Sequence, residues 1–233
     1  MQETIESIMT AQGDYQIEVF GRGDKRLPVV FLPTFQGEGD AVWRHCRKLQ
    51  AKQFVLVAIS GFSWNDCMTP WPSGSVFDGE SGYGGRSSEW LRWLTAEVIP
   101  QVETEQAVGK RVMAGYSLAG LFALWATFQT DLFDGIVSGS GSFWYPGFMD
   151  FVRNHEMRRK PEAVYFSLGD KEHEARDPLL AGIEEMTLQL SDECLEEGIN
   201  SFFQLNNGNH YNQPEWRMAK GIQWMLRALA EEK

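Results

Sequence analysis

The sequence predicts an α/β fold in which a mostly parallel central sheet is covered by helices on both faces. Short apolar runs alternate with longer amphipathic segments along the chain, an order that favours strand–helix–strand units. Two of the runs, residues 29–32 and 54–59, are apolar at nearly every position, as in strands that are buried on both faces. In segment 178–197 apolar residues recur every three or four positions, which is the helical period.

Seven short runs are predicted as strands because each is rich in apolar residues and is bounded by polar or turn-forming ones. In chain order they are residues 15–20, 29–33, 54–60, 111–114, 135–138, 163–168 and 201–205. The amphipathic segments between them are predicted as helices at residues 40–52, 87–105, 118–129, 146–155, 178–197 and 214–231. Because the chain has no internal repeat, low-complexity tract or linker, we expect one domain over residues 1–233.

The composition argues against several classes of partner. The 233 residues carry 21 Lys and Arg against 32 Asp and Glu, a formal charge of −11, which repels nucleic-acid phosphates and anionic lipids. No run approaches the roughly 20 apolar residues of a membrane span, and the first residues are acidic where a secretion signal is basic. We therefore expect a cytoplasmic protein that binds neither nucleic acid nor membranes. The three cysteines lie far apart and outside any zinc-like cluster, so we expect no metal and no cofactor.

One strand-to-helix junction contains a candidate nucleophile. Residues 110–124 read KRVMAGYSLAGLFAL, so Ser117 follows a strand and begins a helix. Such a nucleophile elbow turns so sharply that residues two before and two or three after the serine must be small, as Gly115, Ala119 and Gly120 are. The amide of Leu118 would then point at a developing oxyanion. The alternative interpretation is that Ser117 only caps the helix.

The candidates for a general base are few because the chain has four histidines. His210 lies in the turn-rich segment 206–214, NNGNHYNQP, between the last predicted strand and the last predicted helix. A neutral imidazole there can accept the Ser117 proton and return it to a leaving group. His45 and His155 fall within or at the end of predicted helices, and His173 lies in a loop better suited to supply a carboxylate.

That acidic loop, residues 166–178, is the expected source of the third triad member. It follows a strand and precedes a helix, and a triad carboxylate must bond the far nitrogen of the histidine. Glu172 is the first choice because it lies three residues past Gly169, which ends the strand; Asp170 is the second and Glu174 the third. Asp177, which precedes a proline, is expected to cap the next helix.

Two further features concern the surroundings of Ser117. A second oxyanion donor is expected from a backbone amide after the strand at 29–33, with Phe35 as first choice and Thr34 or Gln36 as alternatives.

The connection between residues 61 and 86 is much longer than the usual loop of roughly 4–6 residues. It has no convincing periodic element and is expected to form a pocket wall. Aromatic residues from this connection and from the loop after residues 135–138 are expected to surround Ser117 and bind an aromatic or bulky acyl group; they are Trp64, Trp71, Phe77, Tyr83, Phe143, Trp144 and Tyr145. The alternative for Phe143 and Trp144 is ordinary core packing.

Together these motifs resemble the putative esterase family of the α/β-hydrolase fold, which includes esterase D-like, feruloyl esterase and enterochelin esterase-like enzymes. The resemblance runs from about Val29 onward and rests on residues 114–121 (AGYSLAGL), 139–145 (GSGSFWY), 169–172 (GDKE) and 208–210 (GNH). It implies that Ser117, Glu172 and His210 cleave a carboxylic ester through an acyl-enzyme. Some siderophore-ester hydrolases of this kind use a Ser/His pair without a clear acid, which leaves the third position open. The chain also has no insert long enough for a separate lid domain.

The sequence therefore predicts a serine esterase that acts on a small-molecule ester. One alternative is an acyltransferase that uses the same site, and another is a catalytically silent scaffold used for binding. The expected residue types occur in the expected order, which disfavours the scaffold, although a fold alone does not establish activity. Anionic substrates would have to overcome the field of the −11 charge unless Arg86 or Arg176 lines the mouth of the site.

Overall fold

In the computed structural model, which describes residues 6–7, 15–76, 81–175 and 177–230, most strands join one large sheet. The strands are β1 (Glu6–Ser7), β2 (Gln16–Phe20), β3 (Leu27–Pro33), β4 (Val55–Ser60), β5 (Pro72–Ser73), β6 (Tyr83–Gly84), β7 (Val108–Tyr116), β8 (Gly135–Gly139), β9 (Ala163–Gly169) and β10 (Asn200–Asn206). The large sheet has the order β1-β2-β4-β3-β7-β8-β9-β10, and β5 pairs with β6 alone. Strands β3, β4 and β7 to β10 are parallel, whereas β2 is antiparallel to β4 and β1 to β2. This arrangement confirms the predicted fold class.

The helices lie between the strands, as predicted, with two changes in the longer segments. They are α1 (Gly39–Lys48), α2 (Trp64–Cys67), α3 (Ser87–Trp93), α4 (Ile99–Glu105), α5 (Leu118–Ala126), α6 (Phe148–Asn154), α7 (Pro178–Ala181), α8 (Ile183–Glu196) and α9 (Pro214–Ala228). A π-helical turn, Leu94–Val98, joins α3 to α4, just before Pro100, which has no amide to continue the regular hydrogen-bond pattern. Gly182 separates α7 from α8, in keeping with the low helix propensity of glycine.

The sheet has an apolar core on each face. Val29 and Phe31 of β3 pack in the cluster that includes α3, α5 and α8, whereas Val30 and Leu32 pack in the cluster that includes α1 and α9. Successive side chains of a strand point to opposite faces, which explains why the buried strands are apolar at nearly every position. None of the helices in the described part of the chain has both the length and the apolar character needed to cross a bilayer.

The connection between residues 61 and 86 has more structure than the sequence predicted, because it contains α2 and the β5–β6 hairpin. It folds back tightly on itself. A Cβ on Gly84 would lie 2.3 Å from Oδ1 of Asp66, and one on Gly85 would lie 2.2 Å from the backbone of Trp71. Because glycine has no Cβ, the chain can approach this closely at both positions. The described part of the connection therefore folds compactly.

Candidate active site

Ser117 lies at the turn between β7 and α5 in a strained backbone conformation, with φ of +58° and ψ of −123°. Non-glycine residues rarely adopt positive φ, and such strain is concentrated at functional sites. A Cβ on Gly115 would lie 2.2 Å from the carbonyl oxygen of Ala119, and one on Gly120 would lie 2.8 Å from Oγ of Ser138. The two glycines therefore occupy positions where the turn leaves no room for a side chain.

His210 reaches Ser117 from a second loop at the carboxyl ends of the parallel strands. It lies between β10 and α9, and its Nε2 is 3.1 Å from Oγ of Ser117. The turn that carries it is held by the Asp170 carboxylate, which accepts the amide of Gly208 at 2.8 Å, and by Asn212, whose Oδ1 accepts the amide of Asn209 at 2.7 Å. Because β7, β9 and β10 end at the same edge of the sheet, residues far apart in the chain meet there.

Glu172 is the carboxylate that the structure brings to the histidine. Its Oε2 lies 2.9 Å from Nδ1 of His210. Its Oε1 accepts bonds from the Gly169 amide at 2.6 Å, from Ser140 Oγ at 2.7 Å and from Arg217 Nη1 at 3.2 Å. Burial alone would raise the pKa of Glu172, but the bonds from His210, Ser140 and Gly169 outweigh it and hold the pKa below the usual 4.5. Glu172 is therefore charged near neutral pH.

Two backbone amides are available for an oxyanion beside Ser117. The Leu118 amide is the first of α5 and has no acceptor within the helix. Among the three amides proposed for the second donor, that of Thr34 donates to the Ile59 carbonyl at 2.7 Å and that of Gln36 to the Glu38 carboxylate at 3.0 Å. The amide of Phe35, which lines the same cavity as Ser117, is the remaining candidate.

A cavity of about 770 Å³ opens above Ser117. Its aromatic lining residues are Phe35, Trp64, Tyr83, Tyr116, Trp144, His210 and Tyr211. The Phe35 ring, which is 59% exposed, meets the Trp64 ring edge-on at 5.5 Å. Of the aromatic residues expected to surround Ser117, Trp64, Tyr83 and Trp144 line this cavity, and Phe77 lies outside the described residues.

Three of the aromatic residues expected to surround Ser117 and bind substrate are not among the described residues that line the cavity: Trp71, Phe143 and Tyr145. Trp71 donates from Nε1 to the Pro146 carbonyl at 2.9 Å and packs against Tyr145. Phe143 is 1% exposed and stacks on Phe148 in the core. All three side chains pack in or against the apolar cluster on the α5 face of the sheet.

Charged residues at the cavity are mostly acidic. Glu38, Glu174 and Glu215 line it together with Lys171. Arg86, a candidate cation for the mouth of the site, instead donates to Glu89 from Nε and Nη2 at 2.9 and 2.8 Å, and Arg176 lies outside the described residues.

A group of polar residues behind Glu172 was not predicted from the sequence. Arg217 is 1% exposed and Ser140 is buried, while Tyr116 donates from Oη to the His210 carbonyl at 2.8 Å. Burial raises the pKa of Tyr116 to about 12, so its hydroxyl remains protonated. The sequence does contain an indication that Arg217 is buried. Arg217 lies on the same helical face as Gly221 and Met225, which are buried positions of the helix.

The chain is similar to known proteins over most of its length. A model of the putative esterase family matches residues 34–218. The uncharacterised protein YbbA of Bacillus subtilis is 26% identical over 181 residues, which cover 74% of this chain and 72% of that protein.

Solved structures share the fold at low identity. The siderophore hydrolase EstA of Aspergillus nidulans is similar with a TM-score of 0.74 and 20% identity, over 97% of this chain and 95% of that one. An IroE-like serine hydrolase of Shewanella oneidensis is similar with a TM-score of 0.79 and 14% identity, over 99% and 82%. The fold is accordingly the α/β-hydrolase fold.

Proposed function

Because the chain belongs to the putative esterase family, and is thereby a carboxylic ester hydrolase, we propose that it works as a serine esterase through an acyl-enzyme. The observation that carries this proposal is the continuous line from Ser117 Oγ to His210 Nε2 at 3.1 Å and from His210 Nδ1 to Glu172 Oε2 at 2.9 Å. These groups have the geometry of a nucleophile, a general base and a carboxylate that orients the base.

The proposed reaction has two halves. His210 Nε2 takes the Ser117 proton while Oγ attacks the carbonyl carbon of the ester, and the amides of Leu118 and Phe35 stabilise the oxyanion that forms. His210 then gives the proton to the alkoxide oxygen as its bond to carbon breaks, so an alcohol leaves and an acyl-Ser117 remains. Water repeats the sequence on the acyl-enzyme and releases the acid and free Ser117. Glu172 stays ionised and stabilises the imidazolium in both halves.

The cavity supports a preference for an aromatic or bulky acyl group. Its volume is about 770 Å³, within the roughly 300–1,000 Å³ of small-molecule sites. Trp64 and Trp144 line the cavity and give it aromatic surface, which suits an aromatic or bulky apolar group. Siderophore-type esters belong in the substrate panel, since EstA is described as a siderophore hydrolase.

The compartment is also part of this proposal. All three cysteines are buried and unpaired, and burial raises the pKa of Cys46 and Cys194 to about 12. Unpaired cysteines are usual where thiols are kept reduced, which supports the cytoplasm.

A fluorophosphonate probe tests the proposed mechanism directly. An activated serine displaces fluoride and forms an Oγ–P bond, so mass spectrometry should find the adduct on Ser117. Ser117→Ala and His210→Ala should lower kcat for p-nitrophenyl butyrate by about 10³-fold or more, as removal of a triad member does. Gly74→Ala, at an open position, is the matched control. An unmodified and inactive natural protein would support the silent scaffold instead, and acyl transfer to an added alcohol in preference to water would support an acyltransferase.

A further inference from the structure

Arg217 is a buried cation on the side of the triad that faces away from the cavity. It is 1% exposed and lies on the first turns of α9. Its Nη1 lies 3.2 Å from Glu172 Oε1, 3.0 Å from Tyr116 Oη and 3.4 Å from Ser140 Oγ. A buried guanidinium is costly unless its charge and its donors are matched. The surroundings of Arg217 provide both a counter-charge and acceptors.

The bond to Glu172 helps to determine which carboxylate oxygen faces His210. Arg217, Ser140 and the Gly169 amide all donate to Oε1. Oε2 is the oxygen that lies 2.9 Å from His210 Nδ1. Donors on one oxygen from three directions fix the plane of the carboxylate, so that the second oxygen points at the imidazole.

The same guanidinium also holds the loop that carries His210. Its Nη2 donates to the Asn209 carbonyl at 2.9 Å and to the Asn207 carbonyl at 3.2 Å. Tyr116, which contacts Nη1, donates from Oη to the His210 carbonyl at 2.8 Å. One planar group therefore connects the loop after β9 with the loop after β10, a task that suits the fixed fork of an arginine better than the single ammonium of a lysine.

We propose that Arg217 is a positioning residue of this enzyme: it holds the Glu172 carboxylate towards His210 and fixes the His210 loop at the distance at which Nε2 meets Ser117. The inference rests on the serine esterase mechanism proposed above. Arg217 is not among the described residues that line the cavity, so it acts through Glu172 and His210 and not on the substrate.

A charge effect distinguishes this role from simple structural support. The ionisable groups that face Arg217 are Glu172 after β9, Tyr116 at the end of β7, Tyr165 on β9 and Lys220 on α9, with His210 beyond Glu172. Removal of the guanidinium takes a positive charge from beside the hydrogen-bonded pair of Glu172 and His210, which favours uptake of a proton by that pair. Because the pair must be free to accept the Ser117 proton, the acidic limb of the kcat/KM profile should move to higher pH.

The experiment compares Arg217→Gln and Arg217→Lys with Arg159→Gln as a matched control. Arg159 also pairs with a largely buried carboxylate, that of Asp134 at 3.0 Å, but at the amino end of β8. For p-nitrophenyl butyrate, R217Q should lower kcat by about 10- to 100-fold, the range expected when a hydrogen bond to a charged group is lost. Its KM should remain within about twofold of the natural value, since no substrate contact changes.

The two Arg217 variants should differ in their pH profiles. R217Q should shift the acidic limb to higher pH, whereas R217K, which keeps the charge, should retain the natural limb and still have a reduced kcat. R159Q should have the kcat and the acidic limb of the natural protein. Circular dichroism melts of all variants give the folded fraction used to correct each kcat.

Two results would overturn the inference: a folded R217Q variant with natural kcat, or a loss of activity that follows the unfolded fraction with an unchanged pH profile. If R217Q does not accumulate as folded protein, R217K decides alone, because natural kcat in that variant contradicts the need for the planar fork. Failure of the serine mechanism itself would be seen separately, as a natural protein that neither reacts with the fluorophosphonate nor hydrolyses esters.

Discussion

Three acids of one loop have different surroundings. Glu172 has a side chain that is 6% exposed and bonds His210 and Arg217. Asp170 accepts the Gly208 amide and so supports the turn that carries His210. Glu174 is exposed at the edge of the cavity. Because only a carboxylate at the far nitrogen can fix the imidazole tautomer, the three acids should contribute unequally to catalysis.

Substitution of each acid by its amide tests this inequality. Glu172→Gln should lower kcat most, by as much as about 10⁴-fold, the loss known when a triad carboxylate becomes an amide. Asp170→Asn should have an intermediate effect through the His210 turn, and Glu174→Gln should stay within about twofold of the natural kcat because its charge is exposed. Steady-state kinetics on p-nitrophenyl butyrate would decide; three equal and mild losses would indicate a Ser/His pair without an acid.

At the scale of elements, the β7–α5 junction is a turn that requires glycine, because a side chain would collide with the neighbouring backbone. A Cβ at Gly115 would meet backbone atoms of Ala119 at 2.2 and 2.3 Å, and backbone cannot move aside as a flexible side chain can. The helix would have to shift away from the strand, and Ser117 would move with it.

Gly115→Ala should therefore reduce both stability and activity. We expect a loss of about 1–3 kcal/mol in the free energy of unfolding, as for other overpacked sites, and a fall in kcat because Ser117 Oγ leaves His210. Gly74→Ala, where nothing lies within 4 Å, should change neither. Urea unfolding and ester hydrolysis measure the two effects, and an unaffected G115A variant would show that the turn is less constrained than its contacts indicate.

The loop after β8 directs two neighbouring aromatic residues to different environments. Phe143 lies in the core against Phe148, whereas Trp144 reaches the cavity wall. Truncation of the first removes core packing, and truncation of the second removes part of the proposed acyl-binding surface. Phe143→Ala should therefore change mainly stability, and Trp144→Ala mainly substrate preference.

Phe143→Ala should lower the free energy of unfolding by about 3–5 kcal/mol without changing the ratio of aromatic to aliphatic ester hydrolysis. Trp144→Ala should lower kcat/KM for phenyl-substituted esters more than for acetate esters, with a smaller loss of stability. Melts and a two-substrate comparison measure both. The assignment of Trp144 to the acyl site would be wrong if W144A kept the natural preference.

At the scale of the whole molecule, the charge of −11 acts together with the acidic cavity lining. Glu38, Glu174 and Glu215 face the cavity with Lys171, so an anionic ester meets a repulsive field before it reaches Ser117. Repulsion of this kind acts on association and is screened by salt.

An ester with a carboxylate on its acyl chain should consequently have a lower kcat/KM than its neutral amide analogue of the same size. The difference should narrow as NaCl rises from about 0.01 M to 1 M, where the Debye length falls from roughly 30 Å to 3 Å. The neutral analogue serves as the control for general salt effects. Equal rates for the two esters at low salt would contradict a role for the acidic lining.

The sequence was a good guide to elements that have a strong local pattern. All seven predicted strands lie in the large sheet. Strands β4, β8 and β9 are buried along their whole length, and such apolar runs can be recognised without knowledge of their partners. The two-residue strands β1, β5 and β6 were missed, since two residues have no periodicity. Segment 178–197 was predicted as one helix although Gly182 divides it, because its apolar spacing continues across the break.

The sequence alone determined the buried strands, the small residues around Ser117 and the order of serine, acid and histidine, because each of these is a local demand of backbone geometry or burial. The tertiary structure decided what depends on distances between separate loops. It brought Glu172, and not Asp170 or Glu174, to His210; it placed Trp144 at the cavity and Trp71 and Phe143 behind its wall; and it revealed Arg217 as the group that joins two loops. The physical reason is that periodicity reports which face of an element is buried, whereas the partner of a side chain depends on where the neighbouring strand ends and how its loop turns.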